Sequence, residues 1–342
     1  MPASTAILVK TRAKFKNRLK NNDYEALLSC HTIPDIAAFL KSKTVYGPYL
    51  QSVQESAVHR GNLEMLLRRK IFDDFAALCR FERTIGEHYY KYLLLKAETD
   101  QIILYLRYFI AGTPEKYLFT LPDFFIKNSH IDFLALTQAK TFENVLKILE
   151  NTRYYELLVP FIPSVNSAPD FTMIEAVLDR NLYNEASRII TKHFRGKTKD
   201  QLIKIFNIRG ELDDIRKIYR AKKYYNVSDE TVNALLNGRT EYLNKHKTEE
   251  IINGTAEDII EVLNKTKYRN ILSNMKFSFI DDMAARMLYD FCRRNLRFSR
   301  HPAVVMASAL ILSELEMENI TNIIEGKRYG VKTEDIRVLL VS

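Results

Sequence analysis

The sequence predicts an all-α chain, and three observations carry that prediction. Apolar residues recur at i, i+3 and i+4, the spacing of one helix face, rather than in alternation. Glycine is sparse: 10 in 342 residues, about 3% against a usual value of roughly 7%. Turn dipeptides such as Asn-Gly between alternating strands are nearly absent. With 46% hydrophobic and 27% charged residues, the composition is that of an ordinary globular protein, long enough for two or three domains with full cores.

One helix-starting segment occurs three times. It reads TIPDIAAFLKSKTVYGPYL from Thr32, TFENVLKILENTRYYELL from Thr141 and TAEDIIEVLNKTKYRNIL from Thr255, with one extra residue in the first copy. Thr32, Thr141 and Thr255 are placed to act as N-caps, each hydroxyl accepting from an orphan backbone amide. Asp35 and Asp258 follow three residues on, near the positive end of the helix dipole. The triplets Ile36/Phe39/Leu40, Val145/Ile148/Leu149 and Ile259/Val262/Leu263 then line one face. A second threonine (Thr44, Thr152, Thr266) marks the expected helix end, and the tyrosine two residues later (Tyr46, Tyr154, Tyr268) is expected to pack back. In the first copy Gly47 and Pro48 predict a turn.

A second segment is also threefold: ETDQIILYLRYF from Glu98, ELDDIRKIYRAK from Glu211 and EMENITNIIEGK from Glu316. Each reads Glu-x-acid-x-Ile followed by apolar residues at helical spacing. Five residues after the isoleucine stand Arg107 and Arg220, but Glu325 in the last copy. Its tail repeats too, YNVSDETVNALL (225–236) resembling GVKTEDIRVLL (330–340), and RAKFKNRLKNNDYEALL (12–28) extends the pattern to the N-terminus. The first segments start 109 and 114 residues apart, the second 113 and 105. Solenoid repeats have periods of about 20–50 residues, whereas about 110 is the size of a small domain. The expectation is three related helical domains, 1–130, 131–237 and 238–342.

The acids of the second segment (Glu98, Asp100, Glu211, Asp213, Glu316, Glu318) are candidates both for pairing inside the chain and for contact with a partner. A second candidate surface is RMLYDFCRRNLRFSRHP, 286–302. A helix there puts Arg286, Asp290, Arg293, Arg297 and Arg300 on one face, as a basic stripe for an acidic neighbour or for lipid headgroups. Pro302 is expected to limit that helix.

Catalytic and cofactor patterns are missing. GxxxxGK[ST] and GxGxxG do not occur, so no phosphate-cradling loop is expected. The seven histidines are scattered without HExxH, and no CxxC pair accompanies them, so no zinc site is expected. The acidic pairs Asp73–Asp74, Asp213–Asp214 and Asp281–Asp282 do not extend to DDxxD and read as solvated turns or helix starts. Cys30 and His31 are sequence neighbours and point to different helix faces. No cofactor and no enzyme activity are predicted. The longest apolar runs fall far short of the 18 or so residues that span a bilayer, and AILV at the N-terminus is flanked at once by Lys10 and Arg12. Three separated cysteines argue against a disulfide framework and for a reducing, cytosolic setting. A net charge of +9 admits nucleic acid, acidic proteins or anionic lipid as partners. A basic helical nucleic-acid-binding protein, suggested by KTRAKFKNRLK and RGKTK, is the alternative reading, and an unrecognised helical enzyme a third.

The run SELEMENITNIIEGKRYGVKTEDIRVLL (313–340), the N-terminal VKTRAKFKNRLKNNDYEALL and the three Thr-capped helices together resemble the central-stalk subunit family of V-type ATPases and A-type ATP synthases, called C in prokaryotes and d in eukaryotes. The resemblance covers essentially the whole chain. It implies a funnel of three helical domains about a pseudo-threefold axis. It further implies a peripheral, non-catalytic rotor part on the cytoplasmic face of the membrane, one copy per complex. There it would link the central shaft subunits to the membrane rotor ring and transmit torque for proton or sodium transport, with no nucleic acid involved. Gly326, replaced by Ala221 and Tyr108 in the other copies, and Glu325 in place of arginine depart from strict threefold equivalence.

Overall fold

The computed structural model describes residues 5–51, 53–54, 60–81, 83–120, 129–164, 167–225, 227–273 and 280–341. The fold is all-α, and no strand occurs among the described residues. Helix α1 (Thr5–Lys16) is followed by three helical hairpins: α2 (Arg60–Phe81) with α3 (Arg83–Ile110), α4 (Phe171–His193) with α5 (Gly196–Arg220), and α6 (Ile280–Phe298) with α7 (Pro302–Arg328). Each long helix packs on the next, α3 on α4 and α5 on α6 as well as within hairpins, and α7 returns onto α2. Six helices thus close a ring, with α1 laid against α7 and α2.

Local chemistry explains the elements. Along α6 the residues Met283, Met287, Cys292 and Leu296 are buried while Asp290, Arg293, Arg294 and Arg297 are exposed, a one-sided helix on the surface of the ring. In α7 every residue from Ala303 to Leu312 is buried, so this helix is covered on all sides. Pro302 opens it at the first helical position, where a missing N–H costs nothing. Gly326 lies so close to Ile336 that an added Cβ would force that side chain to move.

The threefold segments are alike bond by bond. The hydroxyls of Thr32, Thr141 and Thr255 accept from the backbone N–H groups of Asp35, Asn144 and Asp258 at 3.2, 3.3 and 3.4 Å. Those three side chains accept in return from the threonine N–H groups, so Asn144 completes the same reciprocal cap as the two aspartates. Losing such a cap costs about 1 kcal/mol. The second threonines donate to Leu40, Leu149 and Leu263 carbonyls at 2.6, 2.7 and 2.6 Å. They also accept from the N–H groups of Tyr46, Tyr154 and Tyr268. This clasp ends each helix and turns the tyrosine inward. Gly47–Leu50, expected as a turn, forms a short helix with Pro48 in its first turn, and the turn falls just before it.

Tyr46, Tyr154 and Tyr268 are each 1% exposed, and each hydroxyl reaches a glutamate of the second segment: Glu316 at 2.7 Å, Glu98 at 3.4 Å and Glu211 at 2.6 Å. Within the chain, Glu98 precedes Tyr154 and Glu211 precedes Tyr268. Tyr46 instead pairs with Glu316, 270 residues away, so the two ends of the chain build one unit together. The residues around the Glu98–Tyr154 pair, from Leu95 to Leu178, form their own apolar core, and a second core gathers residues from both chain ends and the middle.

Candidate functional site

Two of the candidate glutamates are internal. Glu211 is 1% exposed; it accepts from the Tyr268 hydroxyl and from the N–H groups of Glu241, Tyr242 and Leu243 at 2.7, 3.1 and 2.9 Å. Glu316 is buried and accepts from Tyr46 and from the Leu19 N–H at 2.9 Å. Burial raises its carboxyl pKa, and those two donors offset part of the rise. Glu98 is half-buried and takes the Ser129 hydroxyl at 2.7 Å.

Two residues before each of these glutamates stand Lys96, Arg209 and Glu314, equivalent positions of the three copies. They meet: Arg209 pairs with Glu314 at 2.7 Å and Lys96 with Glu314 at 3.5 Å. The triad thus sits where α3, α5 and α7 approach one another. Toward the hairpin turns the same helices are packed with apolar and aromatic groups: Tyr92 lies edge-on to Phe206 at 5.2 Å and the Tyr89 hydroxyl donates to the Ala303 carbonyl. The triad was missed in the sequence, yet its signal was present as a constant offset of two residues from the repeated glutamate.

Toward the other end, two residues past the glutamates, Asp100, Asp213 and Glu318 are reached by water. Desolvation works against the Asp100 carboxylate, but Lys96 at 2.9 Å and then Arg68 outweigh it and hold its pKa below the usual value. Asp213 is likewise desolvated and held low, by Arg216 and Arg209, and it accepts from the Tyr183 hydroxyl at 2.5 Å. Glu318 is exposed and makes no ion pair among the described residues, yet enough protein surrounds it that desolvation raises its pKa. A group at once wet and desolvated sits in a concavity. Arg209, Arg216, Asp213, Glu314 and Glu318 line a cleft between α5, α6 and α7.

The arginine stripe is divided by its surroundings. Arg286 donates to Asp282 at 2.5 Å and to the Val338 and Leu340 carbonyls, closing the end of the Thr333–Val338 helix. Arg180 does the same for the Asp229–Leu235 helix, through the Ala234 and Leu236 carbonyls. Asp290 forms no ion pair among the described residues; Arg293 lies over the Tyr289 ring instead. The helix ends at Phe298, short of Pro302, because Arg12 draws the Leu296 and Ser299 carbonyls to itself at 2.8 Å. Arg300 therefore lies beyond the helix rather than on its stripe. Arg297 and Arg300 are exposed.

The position that breaks the repeat has an account. Arg107 pairs with Glu175 and Arg220 with Asp281, both at 2.7 Å, and Glu325 pairs with Arg60. All three join the end of one hairpin to the start of the next hairpin around the ring, with the charges exchanged only where α7 meets α2.

No group of three metal-binding side chains occurs among the described residues. Burial pushes the Cys79 and Cys292 thiols up to about 12, far from a reactive thiolate. No described helix is long and apolar enough to cross a membrane.

Residues 7–339 match the ATP synthase (C/AC39) subunit family. The chain is also similar to the C subunit of the A-type ATP synthase of Methanocaldococcus jannaschii, 21% identical over 348 residues that span 97% of this chain and 85% of that protein. With nearly its whole length matched, the chain belongs to the ATP synthase (C/AC39) subunit family, as a structural, non-catalytic subunit.

Proposed function

We propose that this chain is the socket of a rotary ATPase stalk: a funnel on the cytoplasmic face of the membrane, one copy per complex. It would receive the shaft subunits in its hollow, rest on the membrane rotor ring and pass torque between them. Three helical units, each built round one Tyr–Glu pair, form its wall. The observation that carries the reading is the six-helix ring in which α3, α5 and α7 meet at Lys96, Arg209 and Glu314, bordered, one helical turn further on, by the wet acids Asp100, Asp213 and Glu318. A hollow closed at one end and charged near its floor suits a shaft tip carrying basic side chains. The closed ring supplies stiffness, since a load on one hairpin is shared by both neighbours. Of the remaining candidates, Arg293, Arg297 and Arg300 face outward and are assigned to the surroundings of the socket.

The test is recovery of partners. A tagged chain expressed with its ATPase and isolated from solubilised membranes is expected to retain both shaft and ring subunits. The substitution Glu318→Gln, which keeps the shape and adds no cation beside Arg209 and Arg216, should leave the melting temperature nearly unchanged and weaken shaft retention in a salt-dependent way. Recovery of neither shaft nor ring with the unaltered chain sinks the socket reading.

A further inference from the structure

The three hairpin turns share a pattern: Arg80-Phe81-Glu82-Arg83, His193-Phe194-Arg195-Gly196 and Arg297-Phe298-Ser299-Arg300. The ion pairs Arg107–Glu175, Arg220–Asp281 and Glu325–Arg60 join the opposite ends of the same helices, so all three turns lie at one end of the ring. Contacts between them confirm the placement. The rings of His88 and His193 stack at 3.5 Å, linking the first turn to the second. Thr198 meets His301 at 2.9 Å and Ser299 donates to Gln201 at 3.3 Å, linking the second to the third. Helix α1 closes the circuit, with Lys10 over the Phe81 ring at 3.8 Å and Arg12 on the end of α6.

This end concentrates positive charge, although exposed aromatic rings beside cations also occur at the other end, at Tyr224, Tyr225 and Tyr329. The stretches 80–81, 192–200 and 297–300 hold seven Lys and Arg against one Asp, a net +6 in a chain whose total is +9. Arg80, Lys192, Lys197, Arg297 and Arg300 are exposed and form no ion pair among the described residues, whereas Arg107, Arg220 and Arg60 at the opposite end are paired. Amid these cations Phe298 is 70% exposed, Phe81 49% and Val9 67%. In the second turn Phe194 is folded inward, leaving His193 and Arg195 outside.

We propose that this end docks on an anionic membrane surface, Phe81 and Phe298 entering the headgroup layer and the surrounding Lys and Arg facing lipid phosphates. Aromatic tips flanked by cations suit the interface, where a ring sits at headgroup depth and each nearby cation gains from the negative surface potential. The charges are spread round a rim on three separate turns. A fluid anionic surface satisfies such a spread without fixed register, while an acidic protein face would have to match it residue by residue. The proposal rests on the membrane-peripheral reading above and adds which end of the ring is turned to the bilayer.

The full chain is tested by co-flotation with phosphatidylcholine vesicles, with and without phosphatidylglycerol, at low and physiological salt. Unaltered protein should float only with the anionic vesicles. Each basic residue near such a surface contributes about fivefold, so the neutralised triple variant Lys197→Gln/Arg297→Gln/Arg300→Gln should bind on the order of a hundredfold more weakly. Phe298→Ser, which keeps the charge, should lose most of the binding left at physiological salt, where the electrostatic part is screened. The proposal is overturned if the unaltered chain ignores anionic vesicles, if the triple variant floats equally well, or if the basic end binds only an acidic protein of the complex. Retained shaft and ring without vesicle binding would remove this inference and leave the socket standing.

Discussion

The Tyr46 hydroxyl donates to the Glu316 carboxylate at 2.7 Å across 270 residues of sequence, and that bond closes the ring. Tyr268 and Glu211 make the equivalent bond at 2.6 Å, while Tyr154 and Glu98 make a longer one at 3.4 Å with a half-buried acceptor. A hydrogen bond to a charged group contributes about 1.5–3 kcal/mol, and a buried acceptor left without a donor pays for its desolvation. Tyr46→Phe and Tyr268→Phe are therefore expected to lower the unfolding free energy by about 2 kcal/mol each. Tyr154→Phe should cost less than half of that, because water can reach Glu98. Urea denaturation of the three variants checks the order.

Asp214 supplies a pH dependence of known sign. Its carboxylate accepts from the Asn237 N–H at 2.9 Å, the Asn237 side-chain amide at 2.8 Å and the Gly238 N–H at 3.0 Å. Desolvation nevertheless dominates and raises its pKa from 3.8 to about 7. A carboxyl whose folded pKa lies above its unfolded value stabilises the fold fully below the unfolded value. That contribution is lost as pH rises through the folded pKa. Between pH 3.8 and about 7 this group alone makes stability fall with rising pH, by at most about 4 kcal/mol. Carboxylates held low, such as Asp100 and Asp213, act in the opposite sense, so the difference from Asp214→Asn isolates the term. The variant's unfolding free energy should approach or exceed that of the unaltered chain as pH rises through this window. A constant difference across the window refutes the assignment.

The exchanged pair Glu325–Arg60 sits where α7 returns to α2. Glu325→Arg puts like charges together where α7 returns to α2, and the reverse holds for Arg60→Glu. These side chains are 24% and 37% exposed, so each single change should cost about 1 kcal/mol or less. The double exchange should recover most of the loss. A double-mutant cycle by thermal unfolding measures the coupling, and additive losses would mean the pair contributes nothing.

The repeated segments were legible in the sequence because short-range chemistry writes them. A threonine cap, a triplet at i, i+3 and i+4 and a second threonine are all satisfied within one or two helical turns, so Thr32 and Thr141 cap helix starts, while Thr255 makes the same bonds across the turn before a helix that begins at Asp258. The partners of those segments were not legible. Nothing in the order of Tyr46 and Glu316 along the chain says that the first tyrosine closes on the last glutamate, since that choice follows from the ring. The candidate acids illustrate the same limit. Glu211 and Glu318 carry the same charge at related positions, yet one is enclosed by Tyr268 and three backbone amides and the other lies open to water. Helical periodicity gives the face of one helix, whereas a neighbour 100 or more residues away decides whether that face is core, wall or rim. The turn pattern around Phe81, Phe194 and Phe298 is too short to stand out until the structure brings the three together.

The triad Lys96, Arg209 and Glu314 decides between two accounts of a buried charge. Lys96, Arg209 and Glu314 have side chains 16%, 20% and 14% exposed, so one acid answers two cations in a place with little water. Removing one partner of a buried pair costs about 3–5 kcal/mol, because the remaining charge keeps its desolvation penalty. Here Glu314→Met would take from Arg209 its direct ion-pair partner and leave it only the more distant Asp213, with Lys96 still facing Asp100 at 2.9 Å. The single variant should accordingly lose about 3 kcal/mol. Replacing all three by methionine removes the charges together and lets apolar groups fill the same space. That variant should be as stable as the unaltered chain or more so, by the rule that well-packed apolar groups can replace a buried ion pair. Asp100 would then keep only Arg68, at 3.7 Å, so part of the gain is given back. Equal losses in the single and triple variants would show that the charges themselves hold the three helices together. A stable triple variant that no longer keeps its shaft would instead mark the triad as the charged floor that the shaft requires.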